Sequence, residues 1–269
     1  MRYLTLKLYV KGEKMKEILD VVYRTIDDIS LRLDLFLPDN DENSPLIMWI
    51  HGGAWMMGDR KWCGMKSHLK RGYAVASIDY RLSTVSPFPT CIIDCKHALA
   101  FLRKNENKYP IDVSKICVAG DSAGGHLAAL MGVSAGHSEW EPENADCSVQ
   151  AVIDFYGEII FKKKDKNSSN DDNVVDTLLG EPAHTPKGLM TGATASPLTY
   201  INGNEPPFLI IHGDQDEIVP IEHSYLLRNE LEKYGQKNSM YTVFGGGHGF
   251  DCPAVESIAS EFLDYHFKK

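Results

Sequence analysis

Short apolar runs recur along the chain at spacings that predict buried strands. The segment Leu31–Leu37 alternates apolar and polar residues, as a strand with one buried face does. Later runs are almost wholly apolar, which is typical of parallel strands covered on both faces. The predicted strands after the first are Leu46–Ile50, Ala74–Asp79, Ile116–Gly120, Ala151–Phe155, Phe208–His212 and Met240–Phe244.

Segments with helical periodicity separate these strands. Apolar residues that fall on one face of a helix follow Cys91, Leu226 and Val255, and the run after Ser122 is also helical in character. Strands that alternate with helices indicate βαβ units. We therefore predict an α/β fold with a mostly parallel central sheet and helices on both of its faces.

The polar stretch Lys162–Asn173 interrupts this alternation. It fits a solvated loop, and it also fits part of a small cap inserted over about residues 157–200. No linker divides the 269 residues, so we expect a single domain over residues 1–269. The segment KGEKM, which ends at Met15, resembles a translated ribosome-binding site. We hypothesise that residues 1–14 are a non-native or disordered extension and that Met15 is the native start.

Composition and charge narrow the range of partners. The formal net charge is −9 and the longest basic run is Lys162–Lys164, so a nucleic-acid partner is not expected. No run reaches the roughly 18 apolar residues that a membrane span needs, and lysines interrupt the N-terminal segment where a secretory signal would be apolar. We expect a cytoplasmic protein without a membrane partner. The six cysteines show neither Cys-x-x-Cys pairs nor zinc-ligand spacing, which predicts reduced thiols and no metal.

One serine is surrounded by small residues. In the sequence VAGDSAGGHLAAL, Ser122 lies between a predicted strand and a predicted helix, in the pattern Gly120-x-Ser122-x-Gly124 of a nucleophile elbow. Side chains at the two glycines would clash in such a sharp turn. The following helix would direct N–H groups and partial positive charge at the serine. The alternative is an ordinary turn between a strand and a helix.

A serine nucleophile needs a base, and the base needs a carboxylate. In this fold the chain order is serine, acid, histidine. His248, in the glycine-rich sequence FGGGHGF, is the candidate base. We expect His126, in the helix after the serine, to point elsewhere, and His212 to pack or form a local hydrogen bond. The sequence HGDQDEIVP supplies the candidate acids, and spacing alone does not decide between the first two: Asp214, Asp216 and Glu217.

The segment HGGAW, residues His51–Trp55, directly follows a predicted strand. Lipases and esterases carry a glycine-rich loop there, whose backbone N–H groups stabilise the oxyanion of acyl transfer. A cluster of large apolar residues follows. It could line a pocket for an aromatic or short acyl group, or it could be core or flexible surface; its members are Trp55, Met56, Met57, Trp62 and Met65.

Together these motifs resemble the hormone-sensitive-lipase-like branch of the α/β-hydrolase fold. The closest resemblance is to bacterial esterases of the feruloyl and acetyl type and to kynurenine formamidase, which share an HGGxW loop. The likeness covers about residues 31–267. Besides the motifs above it includes DYRLS from Asp79, PFPTCIIDCKHALAFLR from Pro87 and ASPLTYI from Ala195.

The resemblance implies roles for individual residues. Ser122 would be the nucleophile, His248 the base and Asp216 its carboxylate, since the second acidic position of the HGxxD pattern carries that role. The resemblance implies structural roles for Arg81 and Asp94. It also implies an oxyanion hole made by the N–H groups of Gly53, Ala54 and Ala123.

Ala54 departs from the family pattern because it stands where HGGG-type loops have a third glycine. Its N–H group is retained, but its methyl group could restrict the acyl pocket. Trp55 and Met56 are the candidate substrate-binding residues among the apolar cluster.

The implied activity is two-step acyl transfer to water from a small-molecule ester, without a metal or cofactor. Short-chain acyl or aryl esters are expected, and acetylated or feruloylated sugars are candidates by family likeness alone. One alternative is the hydrolysis of an aryl formamide. Another is a binding protein that has lost catalysis, which the presence of Ser122, Asp216 and His248 disfavours.

Overall fold

A computed structural model describes residues 9–10, 13–14, 16–40, 42–161 and 172–268. Within these residues, eight strands form one sheet: β1 Lys16–Ile26, β2 Ile29–Leu37, β3 Ser44–Ile50, β4 Ala74–Ile78, β5 Ile111–Asp121, β6 Ala151–Phe155, β7 Phe208–Gly213 and β8 Asn238–Val243. Their order across the sheet is β8-β7-β6-β5-β3-β4-β2-β1. In this order, the neighbouring strands from β8 to β4 pair in parallel, whereas β2 and β1 are added antiparallel.

The seven predicted strands are all present, and the mostly parallel sheet is confirmed. Strand β5 begins five residues earlier than its apolar run, at Ile111, and Phe244 lies beyond the end of β8 with 86% of its surface exposed. The antiparallel edge strand β1 was not predicted. Two register shifts against β2 break its alternation of buried and exposed residues, so it lacks the periodicity that reveals a strand.

Helices cover both faces of the sheet, as expected. The helices of the described residues are α1 Thr90–Lys104, α2 Ala123–Val133, α3 Asp172–Leu179, α4 Pro186–Ala195, α5 Glu222–Lys233 and α6 Pro253–Phe267. One face of the sheet packs against α1, α2 and α5, and the other against α6 and the 3₁₀ helix Lys66–Arg71. The alternating side chains of the central strands supply both cores, which explains why these strands are apolar throughout.

The segment between β6 and β7 contains α3, α4 and the 3₁₀ helix Pro197–Thr199. Asp172 and Asn173 belong to α3, so the predicted loop Lys162–Asn173 is two residues too long at its end. The rest of that stretch lies outside the described residues. Met15 also lies outside them, so its hypothetical role as the native start stays a prediction.

The six cysteines are free thiols, as predicted. Cys63 and Cys252 are half-buried and the others are buried. Among the described residues no cluster of three or more His, Cys, Asp or Glu side chains is arranged to hold a metal ion. No helix in the described part of the chain is long and apolar enough to cross a membrane.

A buried carboxylate attaches the edge strand to the helical layer. Asp94 in α1 is completely buried and accepts hydrogen bonds from the Arg81 backbone N–H at 3.1 Å and from its guanidinium at 2.8 and 2.9 Å. Arg24 of β1 donates to the same carboxylate. The contacts fit the structural roles that the family resemblance implies for Arg81 and Asp94.

Replacing Asp94 with alanine is expected to lower the free energy of unfolding by about 3–5 kcal/mol, because two partly buried arginines lose their counter-ion. Urea denaturation measures this loss. The matched control is Asp112→Ala, which removes a 3.7 Å pair with the exposed Lys115 and two local, exposed hydrogen bonds from Ser114, and should cost about 1 kcal/mol. Equal losses of stability in the two variants would contradict the structural role assigned to Asp94.

Candidate active site

The turn between β5 and α2 holds Ser122 in a rare backbone conformation, with φ 53° and ψ −118°. The reason predicted for the flanking glycines is confirmed. A Cβ atom at Gly120 would lie 2.3 Å from the Gly124 carbonyl oxygen, and one at Gly124 would lie 2.0 Å from the Ile50 carbonyl oxygen. Any side chain at either position would therefore force this turn apart from the end of β3.

The structure brings together the three residues named from the family pattern. The Nε2 atom of His248 lies 2.9 Å from the Ser122 hydroxyl oxygen, and its Nδ1 atom lies 2.8 Å from Oδ2 of Asp216. The Asp216 side chain is fully buried, whereas 17% of the His248 side chain is exposed. An imidazole hydrogen-bonded on both sides in this way can take a proton from the hydroxyl while the carboxylate stabilises the resulting charge.

Asp216 is held by further donors. Its Oδ1 accepts the N–H groups of Ile218 and Val219, each at 2.9 Å. His212 places Nε2 2.8 Å from the Val219 carbonyl oxygen and 3.2 Å from Oδ2 of Asp216. Because a carbonyl only accepts, Nε2 carries the proton, and the Ser224 hydroxyl donates to Nδ1 at 2.7 Å. The local hydrogen-bonding role expected for His212 is confirmed.

Asp214, which spacing left as an alternative to Asp216, makes a different hydrogen bond. Its Oδ1 accepts the N–H of Gly245 at 2.6 Å, in the turn that follows β8. It thus fastens the turn that precedes His248 and does not contact the imidazole in this structure.

The glycine-rich loop after β3 is fastened to the serine turn. Asp121 accepts the N–H of Gly52 at 2.9 Å. Burial raises the pKa of the Asp121 carboxyl, while that N–H and the nearby His248 lower it in part. Gly53, Ala54 and Trp55 then adopt consecutive positive φ angles of 108°, 54° and 57°, which is strained for the two non-glycine residues.

These contacts place the loop of Gly53 and Ala54 beside the serine turn, and Ala123 follows Ser122 as the first residue of α2. These are the three residues to which the family resemblance assigns the oxyanion hole. Their roles as N–H donors stay a prediction.

Trp55 was expected to bind substrate, and the structure corrects this. Only 3% of its surface is exposed, since its indole N–H donates to Nδ1 of His126 at 3.1 Å and its ring packs on Phe161. His126 points away from the serine, as expected, and its Nε2 lies 2.8 Å from the Ala195 carbonyl oxygen. This buried chain of contacts joins the glycine-rich loop, α2 and the end of α4.

The other members of the apolar cluster do not share one pocket. Met65 is buried in the core, and Met57 and Trp62 are each 55% exposed. Met56 is half-buried, and its role in substrate binding stays a prediction.

Sequence reasoning missed Tyr156, which follows β6. Its ring centroid lies 5.0 Å from that of His248 at 64°, and its N–H donates to the Ile211 carbonyl at 2.9 Å. The preceding carbonyl, that of Phe155, accepts the N–H of Ser122 at 2.9 Å. Nothing in the local sequence signals these contacts, because they depend on β5, β6 and β7 ending side by side.

Asp154, also missed, is a buried carboxyl beneath the same turn. Its Oδ1 accepts the Gly157 N–H at 2.9 Å, and burial raises its pKa to about 7. A Cβ atom at Gly125 or Gly157 would lie 2.5 or 2.6 Å from that oxygen. Asp154 therefore fits only because both neighbours are glycines.

The sheet order, the helices on both faces and the serine turn after β5 define an α/β-hydrolase fold. The BD-FAE family matches residues 33–231, and the chain belongs to this family.

Similar proteins and similar solved structures are named as esterases. The chain is 34% identical over 217 residues to esterase LipC of Mycobacterium tuberculosis, which covers 77% of this chain and 53% of LipC. The chain spans about half the length of the curated relatives it matches.

Among solved structures, a truncated carbohydrate esterase from gut microbiota is 30% identical with a TM-score of 0.84, covering 94% of this chain and 96% of that one. A thermophilic esterase of Thermogutta terrifontis with butyrate bound is 25% identical with a TM-score of 0.76, covering 91% and 93%.

The buried His126 predicts a pH dependence of stability. Burial lowers its pKa to about 4, below the ordinary 6.5. The contribution of the neutral ring to the free energy of unfolding is therefore complete above about pH 6.5. It is lost as the pH falls toward 4, by about 3 kcal/mol in total. Between about pH 7.5 and 4.5, urea denaturation should show a larger loss for the wild type than for His126→Gln, which cannot titrate.

The control for this comparison is His184→Gln at an exposed position, which should follow the wild type. A pH dependence unchanged in His126→Gln would contradict the prediction, because it would show that the ring has the same pKa in the folded protein as in the unfolded chain.

Proposed function

We propose that the protein hydrolyses esters of short-chain carboxylic acids through an acyl-enzyme on Ser122. The observation that carries the proposal is the double hydrogen bond of His248, to the Ser122 hydroxyl and to the buried Asp216. The names of the relatives support an ester as the substrate, since LipC and the similar solved structures are called esterases.

In the first step the Ser122 oxygen attacks the ester carbonyl while Nε2 of His248 takes the hydroxyl proton. The carbonyl oxygen becomes negative in the tetrahedral intermediate. The N–H groups of Gly53, Ala54 and Ala123 would stabilise it, typically by about 2.7–4 kcal/mol for each donor. His248 then gives the proton to the departing alcohol, and the acyl group remains on the serine.

In the second step a water molecule replaces the alcohol. His248 takes a proton from the water as it attacks the acyl-enzyme, and the proton returns to Ser122 as the acid leaves. Asp216 holds the imidazole in the tautomer that this exchange needs. Each step uses protein groups alone, so the scheme requires neither a metal nor a cofactor.

The acyl group is proposed to be short. Ala54 carries a methyl group where HGGG-type loops have a third glycine, and we expect this group to narrow the space beside the substrate carbonyl. The Thermogutta terrifontis esterase was solved with butyrate, an acid of this size. Aryl esters and acetylated or feruloylated sugars are the finer candidates, and the gut carbohydrate esterase supports the latter. The buried free thiols fit a reducing, cytoplasmic location.

Replacing Ser122 with alanine should remove essentially all turnover of p-nitrophenyl esters, because no nucleophile remains. The wild type is expected to be most active on acetate or butyrate when esters from acetate to decanoate are compared. Circular dichroism should show an unchanged fold, and the exposed Ser138→Ala serves as the control. Substantial turnover by Ser122→Ala would overturn the proposal. Turnover of N-formylkynurenine in place of the esters would favour the formamidase alternative.

Asp216→Asn should lower kcat by about 10⁴-fold, because the asparagine favours the wrong imidazole tautomer. The matched control is Asp214→Asn, two residues away. Its side-chain oxygen can still accept the Gly245 N–H, so its kcat should stay within a few-fold of the wild type. The assignment fails if the two variants lose activity equally or if Asp214→Asn is the weaker enzyme.

A further inference from the structure

The turn after β6 holds a tyrosine in a backbone conformation that favours glycine. Tyr156 has φ 44°, which lies in the left-handed region. A residue with a side chain is strained there, and such strain persists only where surrounding contacts fix the residue. Strained residues of this kind cluster at functional sites. The contacts of Tyr156 therefore indicate what its side chain does.

Three hydrogen bonds fix the backbone of this turn. The Phe155 carbonyl accepts the N–H of Ser122 at 2.9 Å, and the N–H of Tyr156 donates to the Ile211 carbonyl at 2.9 Å. The next N–H, that of Gly157, donates to a buried carboxyl at 2.9 Å. The turn is thus bonded to the serine turn on one side and to β7 on the other, so the direction of the tyrosine ring is set by both.

The Tyr156 ring contacts two histidines that share one carboxylate. Its centroid lies 5.0 Å from that of His248, with the ring planes inclined at 64°, and 6.2 Å from that of His212, at 71°. Each histidine has a nitrogen close to Oδ2 of Asp216, at 2.8 Å for His248 and 3.2 Å for His212. The tyrosine therefore lies against both rings that touch the carboxylate of the proposed triad.

A second aromatic ring supports the tyrosine from the loop of the base. Phe250, two residues after His248, has its ring centroid 5.3 Å from that of Tyr156, at 78°. Within this enclosure the Asp216 side chain is fully buried, and only 17% of the His248 side chain is exposed. Burial raises the pKa of the Tyr156 phenol, and the charges of Asp121 and Asp216 raise it further. The ring is therefore a neutral cover over the pH range in which a histidine base titrates.

We propose that Tyr156 is a positioning residue for the reaction, whose ring holds His248 against Asp216 and keeps water away from the hydrogen bond between them. The inference rests on the proposed function, since it assigns a role around the same base. A hydrogen bond to a carboxylate is stronger where water is excluded, because the local dielectric constant is low. Exclusion of water would therefore stabilise the charged imidazole that forms as the serine loses its proton.

The sequence around the base explains why the support comes from another segment. The residues on either side of His248 are Gly247 and Gly249, which have no side chain with which to hold the imidazole. Gly249 also has a positive φ, of 85°. The loop can bring the base to the serine, but a ring from the turn after β6 is needed to hold it there.

The test separates the tyrosine ring from its hydroxyl and from the backbone strain. Tyr156→Phe keeps the ring and removes the hydroxyl. Tyr156→Ala and Tyr156→Gly remove the ring, and glycine also adopts the positive φ without strain. The control is Tyr265→Ala, which removes a tyrosine ring that is 57% exposed on α6. Hydrolysis of p-nitrophenyl acetate gives kcat and KM, and urea denaturation gives stability.

We expect both variants without the ring to lose about tenfold or more in kcat with little change in KM, since a small displacement of a catalytic group can cost about 10²-fold. Tyr156→Phe and the Tyr265→Ala control should stay within about twofold of the wild type, because the ring that contacts His248 is retained in both. Tyr156→Gly should be more stable than Tyr156→Ala and yet no more active. A tyrosine with a merely structural role would leave the kcat of the folded variants unchanged.

A proton NMR spectrum in water tests the exclusion of water directly. In the wild type, the Nδ1 proton of His248 should give a separate downfield signal, because it is bonded to the buried Asp216 and exchanges slowly with water. The same signal is expected in Tyr156→Phe and Tyr265→Ala. In Tyr156→Ala and Tyr156→Gly it should broaden or vanish, because water reaches the hydrogen bond.

The proposal is overturned if the variants without the ring keep the kcat of the wild type, or if their downfield signal is unchanged. It is also overturned if Tyr156→Phe loses as much activity as they do, since the hydroxyl would then be the group that acts. If neither Tyr156→Ala nor Tyr156→Gly folds, Tyr156→Asn replaces them, because asparagine tolerates a positive φ and also lacks the ring.

Failure of this role is distinguishable from failure of the proposed function. Ser122→Ala, measured on the same ester, tests the reaction itself. If that variant is inactive while Tyr156→Gly keeps the kcat of the wild type, the esterase mechanism stands and only the role of Tyr156 is wrong. If the wild type does not turn over the ester, both proposals fail.

Discussion

The close approach of three backbone segments at Gly124 is the constraint on which the site depends. The position of its missing Cβ lies 2.0 Å from the carbonyl oxygen of Ile50 and 2.8 Å from that of His51. The first turn of α2 therefore rests directly on the end of β3. Because the glycine-rich loop begins at this point, the same contact sets the distance between Ser122 and the proposed oxyanion donors. A methyl group at position 124 would move the nucleophile Ser122 away from the glycine-rich loop, even if every other side chain stayed in place.

Side-chain contacts reinforce this approach from both faces of the sheet. On one face Asp121 receives the Gly52 N–H. On the other, His126 accepts from Trp55 and reaches the Ala195 carbonyl at the end of α4. A buried neutral imidazole suits the second position because it donates on one side and accepts on the other. Contacts on both sides thus hold the loop in place. The positive φ angles at Ala54 and Trp55 are strained, and such conformations persist only where the surrounding contacts fix them.

The periodicity of apolar residues predicted the strands and helices whose side chains face a buried layer. It did not predict contacts between segments that are distant along the chain. The strands from β2 to β8 and the helices α1, α2, α5 and α6 have regular apolar patterns. Strand β1 has bulges, and its attachment through Arg24 to Asp94 joins residues 70 apart. Likewise, spacing left Asp214 and Asp216 equivalent because both follow β7. They differ in their hydrogen bonds, since Asp214 accepts from the turn after β8 and Asp216 contacts His248, and both contacts depend on the folded geometry.

The errors over Trp55 and Tyr156 have a common physical cause. Large side chains near a reactive residue can either line the substrate site or fill the space beneath it, and composition does not separate these cases. The Trp55 side chain points into the protein because its indole N–H donates a hydrogen bond to His126. Tyr156, at a positive φ of 44°, is turned so that its ring meets His248. The loop of Ala54 and the ring of Tyr156 thus come from different strands, β3 and β6. Both depend on the order of the strands, because β5, which leads into the serine turn, lies between β3 and β6 in the sheet.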